Sequence, residues 1–346
     1  VPLRIAICPY RLLFKRPFGT AHGLRDGTDA LFIRVEHHGV HGYGEVTLPP
    51  YVKETIPGTV EHLRRVAAMG PWELEELLLA LRNNGLLSEA PACRAGIHTA
   101  LIDAQGKARQ IPVIQLLEIK HIDSAQVVMT IGICDTQEAL EQLEELPASG
   151  ALKLKVGDAE GLVRVKAICE RSDAAILLDG NQGMEGLAEA TALARAVGHG
   201  RLLGFEQPFS TRRDSENLEL ARRTGATVFA DESAQGLTDL ERISTWFNGV
   251  NIKLMKCGGL DTAASIAKRA RALGLKVMLG SMSESSLGCT AMAHLSGAAD
   301  VVDLDGPWLI ANDPFVGLAQ EAGRLVLPKG NGLGAVPRFD LNYTGI

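Results

Sequence analysis

Between positions 153 and 305 the chain carries eight ionisable residues whose types suit metal binding and proton transfer: Lys153, Lys155, Asp179, Glu206, Asp231, Lys253, Asp303 and Asp305. Brought side by side, the carboxylates Asp179, Glu206 and Asp231 would repel one another by several kcal/mol unless a cation lay among them. Oxygen donors without His or Cys suit Mg²⁺ better than zinc. Read one at a time, each carboxylate could equally cap the helix that follows it. Lys153 and Lys155 are two apart, so on a strand they point to the same side. Two close ammonium groups beside a divalent cation should lower a lysine pKa and free an amine to act as a base. The simpler alternative is that the lysines only pair with the three carboxylates.

These residues need a scaffold that gathers distant strand ends. From Gln126 onward, eight short apolar runs alternate with Ala/Leu/Glu/Arg-rich helical stretches: 126–132, 151–157, 174–180, 201–208, 226–233, 249–256, 275–282 and 300–306. They begin roughly 25 residues apart, room for one strand, one helix and two short loops, as a parallel sheet requires. Nearly every run ends in a polar residue, and in a parallel barrel all such ends open onto one mouth. The pattern predicts an α/β fold, a (β/α)8-type barrel or a variant with one helix replaced, over residues 121–312. Residues 1–120 read as an α+β domain: a hairpin over 31–45 turning at Gly39, then helices near 59–68, 72–83 and 92–107. Residues 313–346, with the strand pattern of 323–328, are expected to return to that first domain.

Composition narrows the function. With 46% hydrophobic and 22% charged residues the chain is an ordinary globular one, and 35 Lys plus Arg against 41 Asp plus Glu give a net charge of −6. No basic excess invites nucleic acid or an anionic membrane, and no apolar run reaches a membrane span. The six cysteines form no Cys-x-x-Cys pair and no disulfide framework, so a reducing cytoplasm is expected. The nine histidines form no ligand set; His98 and His294 fall in helical patterns and are expected to pack or to lie at the surface.

In order and at strand ends, Lys153-Leu-Lys155, Asp179-Gly-Asn181, Glu206-Gln-Pro208, Ala230-Asp-Glu-Ser233 and Asn251-Ile-Lys253 resemble the enolase superfamily and its muconate-lactonizing subgroup. The resemblance spans nearly the whole chain. It implies a (β/α)7β TIM-type barrel with an α+β capping domain, and one Mg²⁺ on Asp179, Glu206 and Asp231. Asp303-Leu-Asp305 at the eighth strand end resembles the mark of dipeptide epimerases, including L-Ala-D/L-Glu epimerases. There a pair of carboxylates can hold a dipeptide's α-ammonium. The implied reaction inverts the Cα of the C-terminal residue through an enediolate stabilised by Mg²⁺. Lys155 and Lys253 would be the bases on the two faces, with Lys153 as an electrostatic partner. Arg25, in the cap loop 21–25, looks like the residue that contacts a Glu side chain in members acting on Ala-Glu. Tyr51, Thr130 and Ser281 complete the expected substrate contacts, with Ser283 and Glu284 also at the mouth and Asn181 and Glu232 orienting ligands. Lys256 is assigned to a turn.

Alternatives on the same scaffold are N-acylamino-acid racemase and o-succinylbenzoate synthase, neither of whose substrates needs an ammonium clamp. A metal-dependent dipeptide hydrolase would want histidines at strand ends, and a non-catalytic binder would have no use for both lysines. The expected partner is a small dipeptide, with cell-wall peptide recycling as the setting the resemblance implies; a homo-oligomer is compatible with the sequence.

Overall fold

The fold was analysed in a computed structural model that describes residues 2–21, 23–119, 125–146 and 150–346. The expected domain boundary at 120 and 121 lies outside the described residues.

The N-terminal part is a sheet of β1 (Arg4–Thr20), β2 (Gly23–His37) and β3 (Val40–Leu48), antiparallel, with Thr344–Gly345 added at the β1 edge. The β2–β3 turn passes through His38 and Gly39, both at positive φ, so the hairpin falls where Gly39 announced it. Three helices follow: α1 (Ile56–Ala68), α2 (Leu74–Asn83) and α3 (Pro91–Arg109). Helix α3 lies unusually close to β3, because a Cβ at Gly42 or Gly44 would fall 2.0 Å from the carbonyl oxygen of Ala100 or Gly96. Two glycines on one face of the strand thus let the backbone of the helix touch the sheet.

The eight apolar runs form eight parallel strands: β4 (Met129–Ile131), β5 (Ala151–Lys155), β6 (Ala175–Asp179), β7 (Leu202–Glu206), β8 (Thr227–Ala230), β9 (Gly249–Ile252), β10 (Lys276–Gly280) and β11 (Val301–Asp303). They neighbour one another in sequence order, and the bridge from Val127 to Val302 brings the two ends together into a near-closed barrel. Helices stand outside. The one between β8 and β9 is reduced to Leu240–Ile243, and after β11 only the turn Gly306–Leu309 remains, which makes the barrel (β/α)7β.

Strand parity divides the barrel's side chains. Outward residues such as Leu152, Leu154, Ile176, Leu178, Val228, Val250 and Val277 join the main apolar core. Inward residues Val128, Ala151, Leu177, Phe229, Met278 and Val301 form a separate apolar floor inside the barrel. Gly249 makes room for the Phe229 ring, since a Cβ there would lie 2.5 Å from it. Two and four residues further along the same inward register come the polar side chains of the site.

The C-terminal segment divides its contacts. Its hairpin, Ala319–Glu321 with Arg324–Val326, lies along the chain entering the barrel, where Leu325 N–H donates to Ala125 O (2.8 Å). Residues 332–333 and 344–345 reach the N-terminal part: Leu333 N–H donates to Asp103 Oδ1 (2.8 Å), and Thr344–Gly345 joins the sheet. No described helix is long and apolar enough to cross a membrane.

Candidate active site

Above the apolar floor the inward register turns polar on each strand in succession. Lys153 and Lys155 are the third and fifth residues of β5, level with Leu177 and Asp179 of β6, while Asp179 is level with Glu206 of β7. Asp231 follows β8, Lys253 follows β9, and Asp303 ends β11. All are less than a tenth exposed. With β5 and β9 four strands apart in an eight-stranded barrel, Lys155 and Lys253 stand on opposite walls.

The charges interlock. Lys153 Nζ lies 3.0 Å from Asp179, 2.7 Å from Glu206 and 2.6 Å from Asp303. Lys155 donates to Asp179 Oδ2 (2.6 Å) and Asn181 Oδ1 (2.8 Å), while Asn181 N–H donates to Asp179 Oδ1 (2.9 Å). Lys253 donates to Asp231 Oδ2 (2.7 Å), and Asn251 Nδ2 donates to Glu206 Oε1 (2.9 Å). Asp305 accepts from the backbone N–H of Thr130 (2.7 Å).

Burial would raise the Asp179 carboxyl, but the ammonium groups of Lys153 and Lys155 overcome it and hold it at about 2. Glu206, pushed up by burial and then by Asp179, rises to about 7. Asp305, buried beside Asp303, rises to about 6. Burial works to lower Lys153 and Lys253, yet their carboxylate neighbours, Asp179 and Asp231 first, raise both above the ordinary lysine value. Lys153 itself works to lower Lys253, as a neighbouring ammonium should, but less strongly than the carboxylates raise it.

The donor set suits a hard divalent cation. Asp179, Glu206 and Asp231 are buried, supply only oxygen, and include Glu206 Oε2, which accepts no hydrogen bond from the described residues although Lys153 stands near it. Their oxygens are not gathered as a ready-made cage. Among the described residues the group with ligand atoms all within 4.8 Å of one another is His37, His38 and Glu73, at the far end of the β2–β3 hairpin. At the mouth the lysine ammonium groups stand among the carboxylates and supply the counter-charge.

A cavity of about 480 Å³ opens over this cluster, lined by Lys153, Lys155, Lys253, Asp303 and Asp305 below and by Phe18, Thr20, Arg25 and Tyr51 of the N-terminal part above. Thr130, Ser281 and Ser283 also line it, and so do Asn181 and Glu232, which were expected to orient ligands. The Arg25 guanidinium sits between the rings of Phe14 (5.5 Å) and Tyr51 (5.6 Å). Its Nε and Nη1 are buried without a hydrogen-bond partner among the described residues. Glu284 departs from expectation: it turns under the rim, accepts from Met282 N–H, and is buried beside Glu45. Of the two roles expected for them, His98 and His294 take the packed one.

Lys256 was read as a turn residue. It does lie in the one-turn helix Leu254–Cys257, but that turn folds its side chain back to Asp231 Oδ1 (2.6 Å) and into the cavity wall. Its three-residue offset from Lys253 is the signal in the sequence: strand parity points it away only if the strand continues, and the strand ends at Ile252.

A parallel barrel with acidic and lysine strand ends beneath an α+β cap defines an enolase-type enzyme, and the chain belongs to that superfamily. Residues 136–341 match the enolase C-terminal domain-like family and residues 5–118 match the mandelate racemase/muconate lactonizing enzyme N-terminal domain. Within it the chain is similar to the L-Ala-D/L-Glu epimerase of Bacteroides thetaiotaomicron, 31% identical over 339 residues that cover 96% of this chain and 88% of the relative. It is also similar to the N-succinyl-L-Arg/Lys racemase of Bacillus cereus, 28% identical over 90% of this chain and 91% of the relative. The solved dipeptide epimerase of Methylococcus capsulatus, complexed with Mg and L-Arg-D-Lys, superposes with a TM-score of 0.87 at 29% identity, covering 97% of this chain and all of that one.

Proposed function

We propose that this chain is a Mg²⁺-dependent dipeptide epimerase that inverts the Cα of the C-terminal residue, with an acidic side chain at that residue as in L-Ala-L/D-Glu. The observation that carries this reading is one cavity with lysines on opposite walls, Asp303 and Asp305 lining it, and above it Arg25, whose Nε and Nη1 have no hydrogen-bond partner among the described residues. The clamp of Asp303 and Asp305 receives the dipeptide's α-ammonium, and Arg25 receives the C-terminal side chain. Lys155 on one wall takes the Cα proton as a neutral amine, Lys253 on the other returns one from its ammonium, and the roles exchange in the reverse direction. Lys153 offsets the negative charge that builds on the substrate carboxylate. Asp179, Glu206 and Asp231 would hold Mg²⁺, which when bound supplies Lewis-acid neutralisation of that carboxylate. The metal would compete with the lysines for the same carboxylates.

Racemisation of an N-acylated amino acid is the second reading, favoured by the similarity to the N-succinyl-L-Arg/Lys racemase. Two buried carboxylates facing an acyl group that has no ammonium, and in the N-succinyl case adds a further carboxylate, weigh against it. The deciding experiment is proton NMR in D₂O with Mg²⁺ and L-Ala-L-Glu, L,L-dipeptides with hydrophobic or cationic C-terminal residues, and N-succinyl amino acids. Loss of the C-terminal Cα proton with growth of the diastereomer is expected for Ala-Glu; exchange confined to the N-succinyl substrates would overturn the proposal. The six cysteines are all unbridged, which supports a cytoplasmic setting, and recycling of wall-derived peptides is where an Ala-Glu epimerase would meet its substrate.

A further inference from the structure

A fourth lysine of the barrel, Lys256, lines the cavity and has no part in the mechanism above. The side chain of Lys256 is 7% exposed. An ammonium has three N–H donors, and Lys256 Nζ has three acceptors: Asp231 Oδ1 at 2.6 Å, Asp231 backbone O at 2.8 Å and Asn251 backbone O at 3.2 Å. Every donor is committed to fixed protein oxygens. Lys155, by contrast, donates to two side-chain oxygens, and Lys253 donates to Asp231 Oδ2.

The partner is equally committed. Lys256 takes one oxygen of the Asp231 carboxylate and Lys253 the other. The Asp231 backbone N–H donates to Gln207 Oε1 (3.0 Å), which also accepts from Ser233 N–H (3.0 Å). Lys256 is delivered to this place by the turn Leu254–Cys257, closed by Gly258 at φ +88°. A side chain at Gly258 would meet Arg94 of α3 at 3.2 Å as well as the left-handed backbone penalty, so the turn has little freedom to open.

We infer that Lys256 is a positioning residue that clamps Asp231 by one carboxylate oxygen and its carbonyl, and so fixes the other oxygen toward Lys253 and the metal position. This rests on the epimerase reading for its substrate but not for its geometry. The clamp joins the ends of β8 and β9, since its three acceptors belong to Asp231 and Asn251. Because it serves the metal position rather than one face of the substrate, its loss must weaken proton removal from both epimers alike. A base does the opposite and fails on one face.

The test uses full-length protein with Lys256→Met and, as a variant that keeps a polar head, Lys256→Gln, each checked for folding by circular dichroism. Mg²⁺ affinity is measured by calorimetry, and Cα deuterium uptake in D₂O is followed separately from L-Ala-L-Glu and L-Ala-D-Glu. Mg²⁺ binding is expected to weaken about ten- to a hundredfold, as for other residues that orient metal ligands. Deuterium uptake should fall in parallel for the two epimers, with kcat recovering in part at high Mg²⁺. Mg²⁺ affinity within threefold of wild type in either folded variant would overturn the clamp. Loss confined to one epimer would overturn it too and make Lys256 a base. Failure of the wild type to exchange either dipeptide would remove the substrate reading while the Mg²⁺ titration still judged the clamp.

Discussion

Four lysines share the barrel mouth, and their hydrogen-bond partners separate their roles. Lys155 and Lys253 face the cavity from opposite walls with their heads on Asp179 and Asp231. Lys155→Ala and Lys253→Ala are each expected to cut epimerisation at least a thousandfold, while each retains Cα exchange from one epimer only, read by NMR in D₂O; general-base groups commonly contribute ~10²–10⁴-fold. Normal turnover by either variant would defeat the two-base assignment. Asp303 is a different case, because its partner in the structure is Lys153 at 2.6 Å. Asp303→Asn removes a charge that the α-ammonium needs, so KM for dipeptides should rise by about tenfold or more while Mg²⁺ affinity, measured by calorimetry, stays within threefold.

Among the elements, the β1–β2 hairpin sets how the cavity closes. Ile133 N–H at the end of β4 donates to Gly19 O (2.9 Å), and a Cβ at Gly19 would fall 2.1 Å from Ile133 O. Backbone meets backbone there, with Phe18 and Thr20 lining the cavity on either side of the contact. Gly19→Ala should lift the hairpin, carry Arg25 out of place and lower kcat/KM by up to about a hundredfold, with the melting temperature nearly unchanged. A second inter-element contact holds the cap to the barrel. Glu45 of β3 accepts from Ser285 N–H (2.9 Å), Ser285 Oγ (2.5 Å) and Gly288 N–H (3.0 Å) at the N-terminus of the helix Ser286–Ala293. Glu45→Leu would leave those donors buried and unpaired and should cost about 2 kcal/mol in urea unfolding.

At the scale of the molecule, α3 and the barrel helix Leu260–Ala272 are pinned by Arg94, His98 and Asp261. Arg94 Nη2 lies 2.9 Å from Asp261 Oδ2 and His98 Nε2 lies 3.4 Å from Asp261 Oδ1. Burial holds the His98 imidazole down at about 4 against the pull of Asp261. Burial would raise the Asp261 carboxyl, but His98 and Arg94 take it well below the usual carboxylate range. Both folded values are depressed, so the unfolded chain takes up protons first, and stability present above pH ~6.5 is lost as pH falls toward 4 and below. His98→Gln is expected to flatten the decline of melting temperature between pH ~6.5 and 4. Glu284 has the opposite sign: burial, then Glu45, raises it to about 8. Its contribution is complete below the ordinary carboxylate pKa and is lost as pH rises through about 8, a loss that Glu284→Gln should remove.

The barrel was legible in the sequence because strand geometry is local. A period of two sends Lys153 and Lys155 inward with Ala151, and the same parity carries Leu177 to Asp179 and Phe229 to Asp231, so polar strand ends above an apolar floor could be read residue by residue. Parity stops where the strand stops. Lys256 returns to Asp231 only because a helical turn and Gly258 redirect the chain, and Glu284, three residues past Ser281, drops beneath the rim instead of lining it. The titration of Lys153 and Lys253 likewise depends on the carboxylates that packing places beside them. Arg25 against Phe14 and Tyr51, and Glu45 on a helix 240 residues further along the chain, join elements whose relative position no local pattern encodes. Periodicity determines which way a side chain faces, whereas the packing of cap on barrel decides what it meets there.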